Sequence, residues 1–289
     1  MNKKKVTVCL MYDFDKTLCD RDMQEYDFIP SIGMTAEEFW GKTNEIANRD
    51  HMERILSYMY LMLEEAKKKN IKVTKEYLNG CAKSMKLYKG VTTWFKRINE
   101  FGESIGLNIE HYVLSSGIKE IIEGSAIAHE FKEIYGCQFH YNEEGIADWP
   151  LNSVNYTLKT QYIHRISKGV LDITNDLDLN NKMDPNKDRH CEFKNMIYMG
   201  DGLTDVPCFK MVSEKGGKAI ALYQKGKINK ASDLLLDGRA SYLTLADYSE
   251  GSELDGIVKL ILERISLESD LDEIYVKNVK KAMKSVKSE

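Results

Sequence analysis

The stretch VTVCLMYDFDKTL, residues 6–18, decides the reading. Val6 to Tyr12 is apolar and rich in β-branched residues, without clean alternation. Such a run suits a strand covered on both faces, as in a parallel sheet. It ends abruptly in Asp13 and Asp15. Two carboxylates that close cannot both ionise cheaply without a cation. Either a metal binds there, or one carboxyl keeps its proton, or both. Taken alone, a D-x-D pair is as readily an acidic strand-to-loop turn as a site.

Working outward, two more apolar runs end in polar clusters. NMIYMGDGLTD, residues 195–205, reads as a strand tipped by Asp201 and Asp205. Four-residue spacing predicts that the start of a helix carries both on one face. Pro207 fits only in the first turn of that helix. Glycines on both sides of Asp201 let the backbone approach a ligand closely. A carboxylate pair like Asp13 and Asp15 is what covalent phosphoryl transfer needs, one as nucleophile and one as proton donor. With a phosphate partner, these hard oxygen ligands point to Mg²⁺. HYVLSSG, residues 111–117, reads as a strand ending at Ser115, with a helix starting near Ile118. Hydroxyl and backbone N–H groups at a helix start can cradle an anion, though a plain Ser N-cap is the ordinary reading. Lys159, in YTLKTQ, matters because the other three clusters call for a fixed cation.

Strands and helices alternate along 91–248. That implies an α/β protein with a Rossmann-like, mainly parallel sheet and ligands beyond the strands' carboxyl ends. CQFHYNEEGIADW, 137–149, reads as a hairpin turning near Glu143 to Gly145. Residues 35–86 read instead as helix after helix, with a capping box at Thr35 and Glu38. Met52, Ile55, Leu56, Met59, Tyr60, Leu63 and Ala66 keep a 3.6-residue period. Thr74 caps a further helix with Leu78, Cys81, Ala82 and Met85 on one face. The expected organisation is a discontinuous core, 1–20 and 87–289, with an inserted all-helical cap, 21–86.

Of 289 residues, 43% are hydrophobic and 30% charged, with net charge -4. No global basic field favours nucleic acid. The lysines at 277, 280, 281, 284 and 287 read as one solvated helix face. No apolar run is long enough to span a bilayer. MNKKKVTVCLMY imitates a signal peptide, but Asp13 cuts it short and no small-residue cleavage site follows. A cytoplasmic protein with no membrane partner is expected. The six cysteines have no C-x-x-C pair, so neither a zinc site nor a redox pair is indicated, and buried free thiols are expected. GESIG (102–106) follows a helix where a nucleophile elbow needs a strand. GKT (41–43) lacks the leading glycine of a P-loop, since position 36 is Ala36. The loop from Asp176 lacks the glycine and terminal Glu of an EF-hand and reads as polar surface.

In this order, DFDKTL, LSSG, Lys159 and GDGLTD resemble the four motifs of the haloacid dehalogenase (HAD) superfamily. The likeness runs from Val6 to about Tyr248. The hairpin, polar stretch and lysine are laid out as in its phosphoserine-phosphatase-like branch. The resemblance implies that Asp13 attacks phosphorus and forms an aspartyl-phosphate. Asp15 then serves as acid and base. Asp13, the backbone carbonyl of Asp15, Asp201 and Asp205 hold or support Mg²⁺. Ser115, Ser116 and Lys159 bind the phosphate. A phosphatase acting on a small phosphorylated metabolite is the expected function, with a phosphotransferase or phosphomutase as alternative. A non-catalytic phosphate binder is the reading from another class. Asp22, Gln24 and Arg54 are cap residues that could read the rest of the substrate. No oligomeric state is indicated.

Overall fold

The computed structural model describes residues 5–181 and 189–286. Strand β1 (Val6–Tyr12) precedes a run of helices: α1 (Phe28–Ser31), α2 (Ala36–Asp50), α3 (Arg54–Lys68) and α4 (Lys75–Gly80). Then come α5 (Val91–Ser104), β2 (Leu107–Ile118), α6 (Lys119–Glu123), β3 (Glu133–Tyr141), β4 (Ala147–Asn152), α7 (Tyr156–Lys168) and α8 (Asp176–Asn180). The rest is β5 (Met196–Gly200), α9 (Val206–Glu214), β6 (Lys218–Tyr223), α10 (Asn229–Leu236), β7 (Tyr242–Leu245) and α11 (Glu253–Val286).

Seven strands form one sheet in the order β4-β3-β2-β1-β5-β6-β7. Every pairing is parallel except β3 with β4, the expected hairpin. The chain builds one side of the sheet from β1, then returns beside β1 with β5. That reversal makes a crevice at the carboxyl ends of β1 and β5, where ligands bind in such sheets. β1 is buried on both faces from Val8 onward, as its unbroken apolar run predicts.

Residues 21–86 leave and rejoin the sheet at one place. The Asp20 N–H donates to the Lys86 carbonyl (3.1 Å), and the Tyr88 N–H to the Leu18 carbonyl (3.0 Å). The regular elements between them are all helical. The capping box is present: the Thr35 hydroxyl accepts from the Glu38 N–H, and Glu38 accepts from the Thr35 N–H.

Two helical expectations need correction. The inward face of α3 is Ser57, Tyr58, Met59, Leu61, Met62, Glu65 and Ala66, while Tyr60 is 45% exposed. The apolar stripe is rotated because polar groups find partners inside. Ser57 donates to the Thr43 carbonyl (2.7 Å), and the Tyr58 hydroxyl donates to the Ser116 carbonyl (2.6 Å). A buried hydroxyl with a partner competes well with a leucine for an inner position. Helix α4 stops at Gly80, so Cys81, Ala82 and Met85 lie in the turns that follow. There Asp27 accepts from the N–H and hydroxyl of Ser84.

Asp176–Asn180 is a helix, where a loop was expected; residues 182–187 of that stretch, and Lys287, lie outside the described residues. The lysines at 277, 280, 281 and 284 are exposed on α11. All six cysteines are free and buried. No helix among the described residues is long and apolar enough to cross a membrane.

Beneath the crevice, β1 is tied to β2 by a buried chain of polar groups. Trp94 Nε1 donates to the Tyr12 hydroxyl (2.9 Å), which faces His111 Nδ1 (3.0 Å), and His111 Nε2 faces Asn99 Oδ1 (2.9 Å). These partners suit a neutral imidazole. Burial pushes its pKa down to about 3. In the unfolded chain the ring takes a proton near pH 6.5, so this contribution is complete above that pH and is lost as pH falls toward 3. Stability of the wild type relative to His111→Gln, from urea unfolding, should therefore drop by about 2 kcal/mol between pH 6.5 and 5. A pH-independent difference would show that the ring is not held neutral.

Candidate active site

Asp13 is the first residue past β1, and its N–H donates to the Met199 carbonyl of β5 (2.8 Å). Asp13 is thus pinned between the two strands at the chain reversal. From β5 the chain runs through Asp201 into a tight turn, Leu203–Asp205, before α9. Asp201 and Asp205 converge through this turn and not along a helix face, because α9 starts only at Val206. Pro207 lies in its first turn, as expected. The turn presses Asp205 against the end of β5: a Cβ on Gly200 would collide with the Asp205 carboxylate. A glycine is therefore required there.

Carboxylate oxygens of Asp13, Asp201 and Asp205 lie within 4.8 Å of one another. Lys159, on the first turn and a half of α7, is fully buried and reaches two of them. Its Nζ lies 2.9 Å from Asp13 Oδ1 and 2.8 Å from Asp205 Oδ1. The Tyr198 hydroxyl donates to the same Asp205 oxygen (2.7 Å), and the Gly202 N–H donates to the other (3.3 Å).

The electrostatics follow from crowding three carboxylates around one ammonium. Burial alone would depress Lys159, but Asp13 and Asp205 outweigh it and hold the ammonium above its ordinary value. Burial pushes Asp13 up to about 6, with Lys159 pulling the other way. Burial, then the charges of Asp13 and Asp205, push Asp201 up to about 8. One ammonium does not balance this set, so the site has unmet affinity for a cation. Its oxygen-only donors suit a hard divalent ion such as Mg²⁺.

The Asp15 carboxylate is turned away from this trio. Its Oδ1 accepts from the Met23 N–H (2.8 Å). Burial, followed by the charges of Asp22 and Asp13, raises its pKa well above the usual carboxylate range. Burial thus favours the protonated form of Asp15. Lys16, at φ 58°, takes a left-handed conformation that costs a non-glycine residue energy. It pairs with Asp22 at 2.6 Å.

At the end of β2, Ser115 is fully buried and its Oγ accepts from the Gly117 N–H (3.0 Å). Its own proton is left to donate. The Ser116 hydroxyl is buried with no protein partner, an arrangement that costs energy unless a ligand satisfies it. Gln24 is 1% exposed, and its amide oxygen is likewise unpartnered. Arg54 is exposed on the helical segment, 3.4 Å from Asn44 Oδ1.

Sequence reasoning missed Tyr198, Met23 and Tyr58. The two tyrosines read as apolar strand and helix residues. The available signal was that a buried Tyr hydroxyl needs a partner. The Met23 contact is a backbone N–H and leaves no trace in residue type. Lys159→Met should lower unfolding free energy by about 3–5 kcal/mol in chelator-treated protein, because two buried carboxylates lose their counter-charge. Urea unfolding measures this; a loss under about 1 kcal/mol would mean that the pair is not the site's charge anchor.

No family model matches the sequence. An uncharacterized protein of Borreliella burgdorferi is 25% identical over 92% of this chain and 99% of its own length. Among solved structures, a HAD family hydrolase from Salmonella enterica serovar Typhi is similar with TM-score 0.57 at 15% identity, over 88% of this chain and 70% of its own. A substrate-bound phosphoserine phosphatase is similar with TM-score 0.53 at 15% identity, over 90% of this chain and 99% of its own. Three carboxylates and a lysine at the crevice of this sheet thus sit on an architecture shared with these proteins: the chain has the fold of the HAD-family hydrolases.

Proposed function

We infer that this protein is a Mg²⁺-dependent phosphatase that hydrolyses a small phosphate monoester through Asp13. The observation that carries the reading is the buried Lys159 ammonium held between Asp13 and Asp205, with Asp201 within metal-sharing distance. Asp13, Asp201 and the backbone carbonyl of Asp15 would hold Mg²⁺, with Asp205 in support. When bound, the ion would neutralise phosphate oxygens beside the nucleophile.

The chain's own groups supply the rest. An Asp13 carboxylate oxygen attacks phosphorus as the ester P–O bond breaks. Asp15, kept protonated by burial, gives its proton to the leaving oxygen. The Asp15 carboxylate then takes a proton from a water whose oxygen attacks phosphorus. The Asp13–phosphorus bond breaks, phosphate leaves, and both carboxyl groups return to their starting states. The Lys159 ammonium and the Ser115 and Ser116 hydroxyls hold phosphate oxygens. Fixed charges of this kind cost little reorganisation during the reaction.

Segment 21–86 is proposed as a cap over this chemistry. Its Met23 N–H already engages Asp15, and Gln24, with its unpartnered amide oxygen, follows directly. A cap of helices over a recessed site favours a small metabolite that fits beneath it.

Phosphate release from a panel of small phosphomonoesters, with Mg²⁺ or a chelator, tests the reading. Turnover should require Mg²⁺ and fall at least about a thousandfold in Asp13→Asn. Turnover that survives Asp13→Asn would remove Asp13 as the nucleophile, and none on any ester with folded protein would sink the hydrolase reading in favour of transfer or binding. Separately, Asp15→Asn should lower kcat about 10²–10⁴-fold for esters with poor leaving groups and far less for an aryl phosphate, whose oxygen needs no proton. Equal losses for both ester types would remove Asp15 from the acid role.

A further inference from the structure

Apart from the aspartates, a cluster of metal-ligating side chains lies lower on the sheet. Cys9 and Glu110 are direct partners across β1 and β2. The Cys9 Sγ is 3.9 Å from Glu110 Oε2, and His190 Nε2 is 2.6 Å from the same oxygen. The three ligating atoms all lie within 4.8 Å of one another. Cys9 is fully buried, and the side chains of Glu110 and His190 are 13% and 30% exposed. The Tyr112 hydroxyl donates to that same Oε2 (2.7 Å), and the other Glu110 oxygen is taken by Lys132 (2.6 Å). Cys191 is a side-chain hydrogen-bond neighbour of the Cys9 thiol, although its own thiol faces the carbonyls of Thr7, Glu192 and Asn195. His190 also lines a cavity of about 210 Å³, whose lining does not include Cys9 or Glu110.

We propose that Cys9, Glu110 and His190 form a transition-metal site of Zn²⁺ type, separate from the aspartate site. An ion pair explains Lys132, His190 and Glu110. It does not explain a thiol buried against a carboxylate, since a thiol is a weak donor. Thiolate, imidazole and carboxylate are the borderline set that Zn²⁺ prefers. Ligand bonds of about 2.0–2.3 Å at tetrahedral angles put ligand atoms about 3.3–3.6 Å apart. Cys9 and Glu110 are already close to that, and His190, on a partly exposed segment, would retreat by less than about 1 Å. The metal–sulfur bond forms as the Cys9 S–H proton leaves to solvent, and one thiolate with one carboxylate then balances the ion's charge. The C-x-x-C test on the sequence is blind to such a set, because its ligands come from three distant segments.

Co²⁺ titration of the full chain, with no added thiol, tests this directly. One equivalent should produce a near-ultraviolet thiolate-to-cobalt band, and Zn²⁺ should displace it. The band should persist in Asp201→Asn and vanish in Cys9→Ser. Should Cys9→Ser fail to fold, His190→Ala decides, with Co²⁺ affinity expected to fall at least about tenfold. No band in the wild type, a band surviving in Cys9→Ser, or unchanged affinity in His190→Ala would overturn the assignment.

Discussion

The bridge from Lys159 to Asp13 and Asp205 is the contact on which the site depends. Three carboxylates stand around one fully buried ammonium. Without that charge, the end of β1 would hold uncompensated anions in a low-dielectric interior, which proteins avoid by protonation or unfolding. With it, the set is still short of positive charge. This shortfall links the fold to function. It gives the site an appetite for a divalent cation, and on the proposed reading that cation would bring a phosphate group to Asp13.

The sheet order makes the bridge possible. β1 and β5 are neighbours although far apart in sequence, so Asp13 and Asp201 emerge side by side. Helix α7 carries Lys159 over the same edge, and β2 brings Ser115 from the opposite side. The helical segment leaves and returns through two backbone hydrogen bonds at this edge. Its Met23 N–H can therefore touch Asp15 without disturbing the strands. Four distant motifs become one site because the parallel sheet points all their strand ends the same way.

Much of this was legible in the sequence. The unbroken apolar run before Asp13 implied a strand covered on both faces, and β1 is one. Gly169 ends α7 and Gly106 follows α5, both with the positive φ that lets a glycine close a helix. What failed had physical causes. Periodicity ranks residues by apolarity, so it turned α3 toward Leu56, Tyr60 and Leu63. The real inner face is chosen by hydroxyl partners at Ser57 and Tyr58. Spacing placed Asp201 and Asp205 on a helix, but the chain first turns tightly at Leu203–Asp205, which the absence of a side chain at Gly200 allows. Tyr198 holds Asp205 through a bond that only a three-dimensional arrangement reveals.

The account's central claim is that Asp13 takes the phosphoryl group. It is tested most directly by acid-quenching the protein during turnover of a phosphomonoester and mapping its peptides by mass spectrometry. A single phosphoryl group on the peptide carrying Asp13, absent from Asp13→Asn and more abundant in Asp15→Asn, is the predicted result. A protein that releases phosphate while that peptide stays unmodified in both wild type and Asp15→Asn would contradict it, and would assign the attack on phosphorus to water.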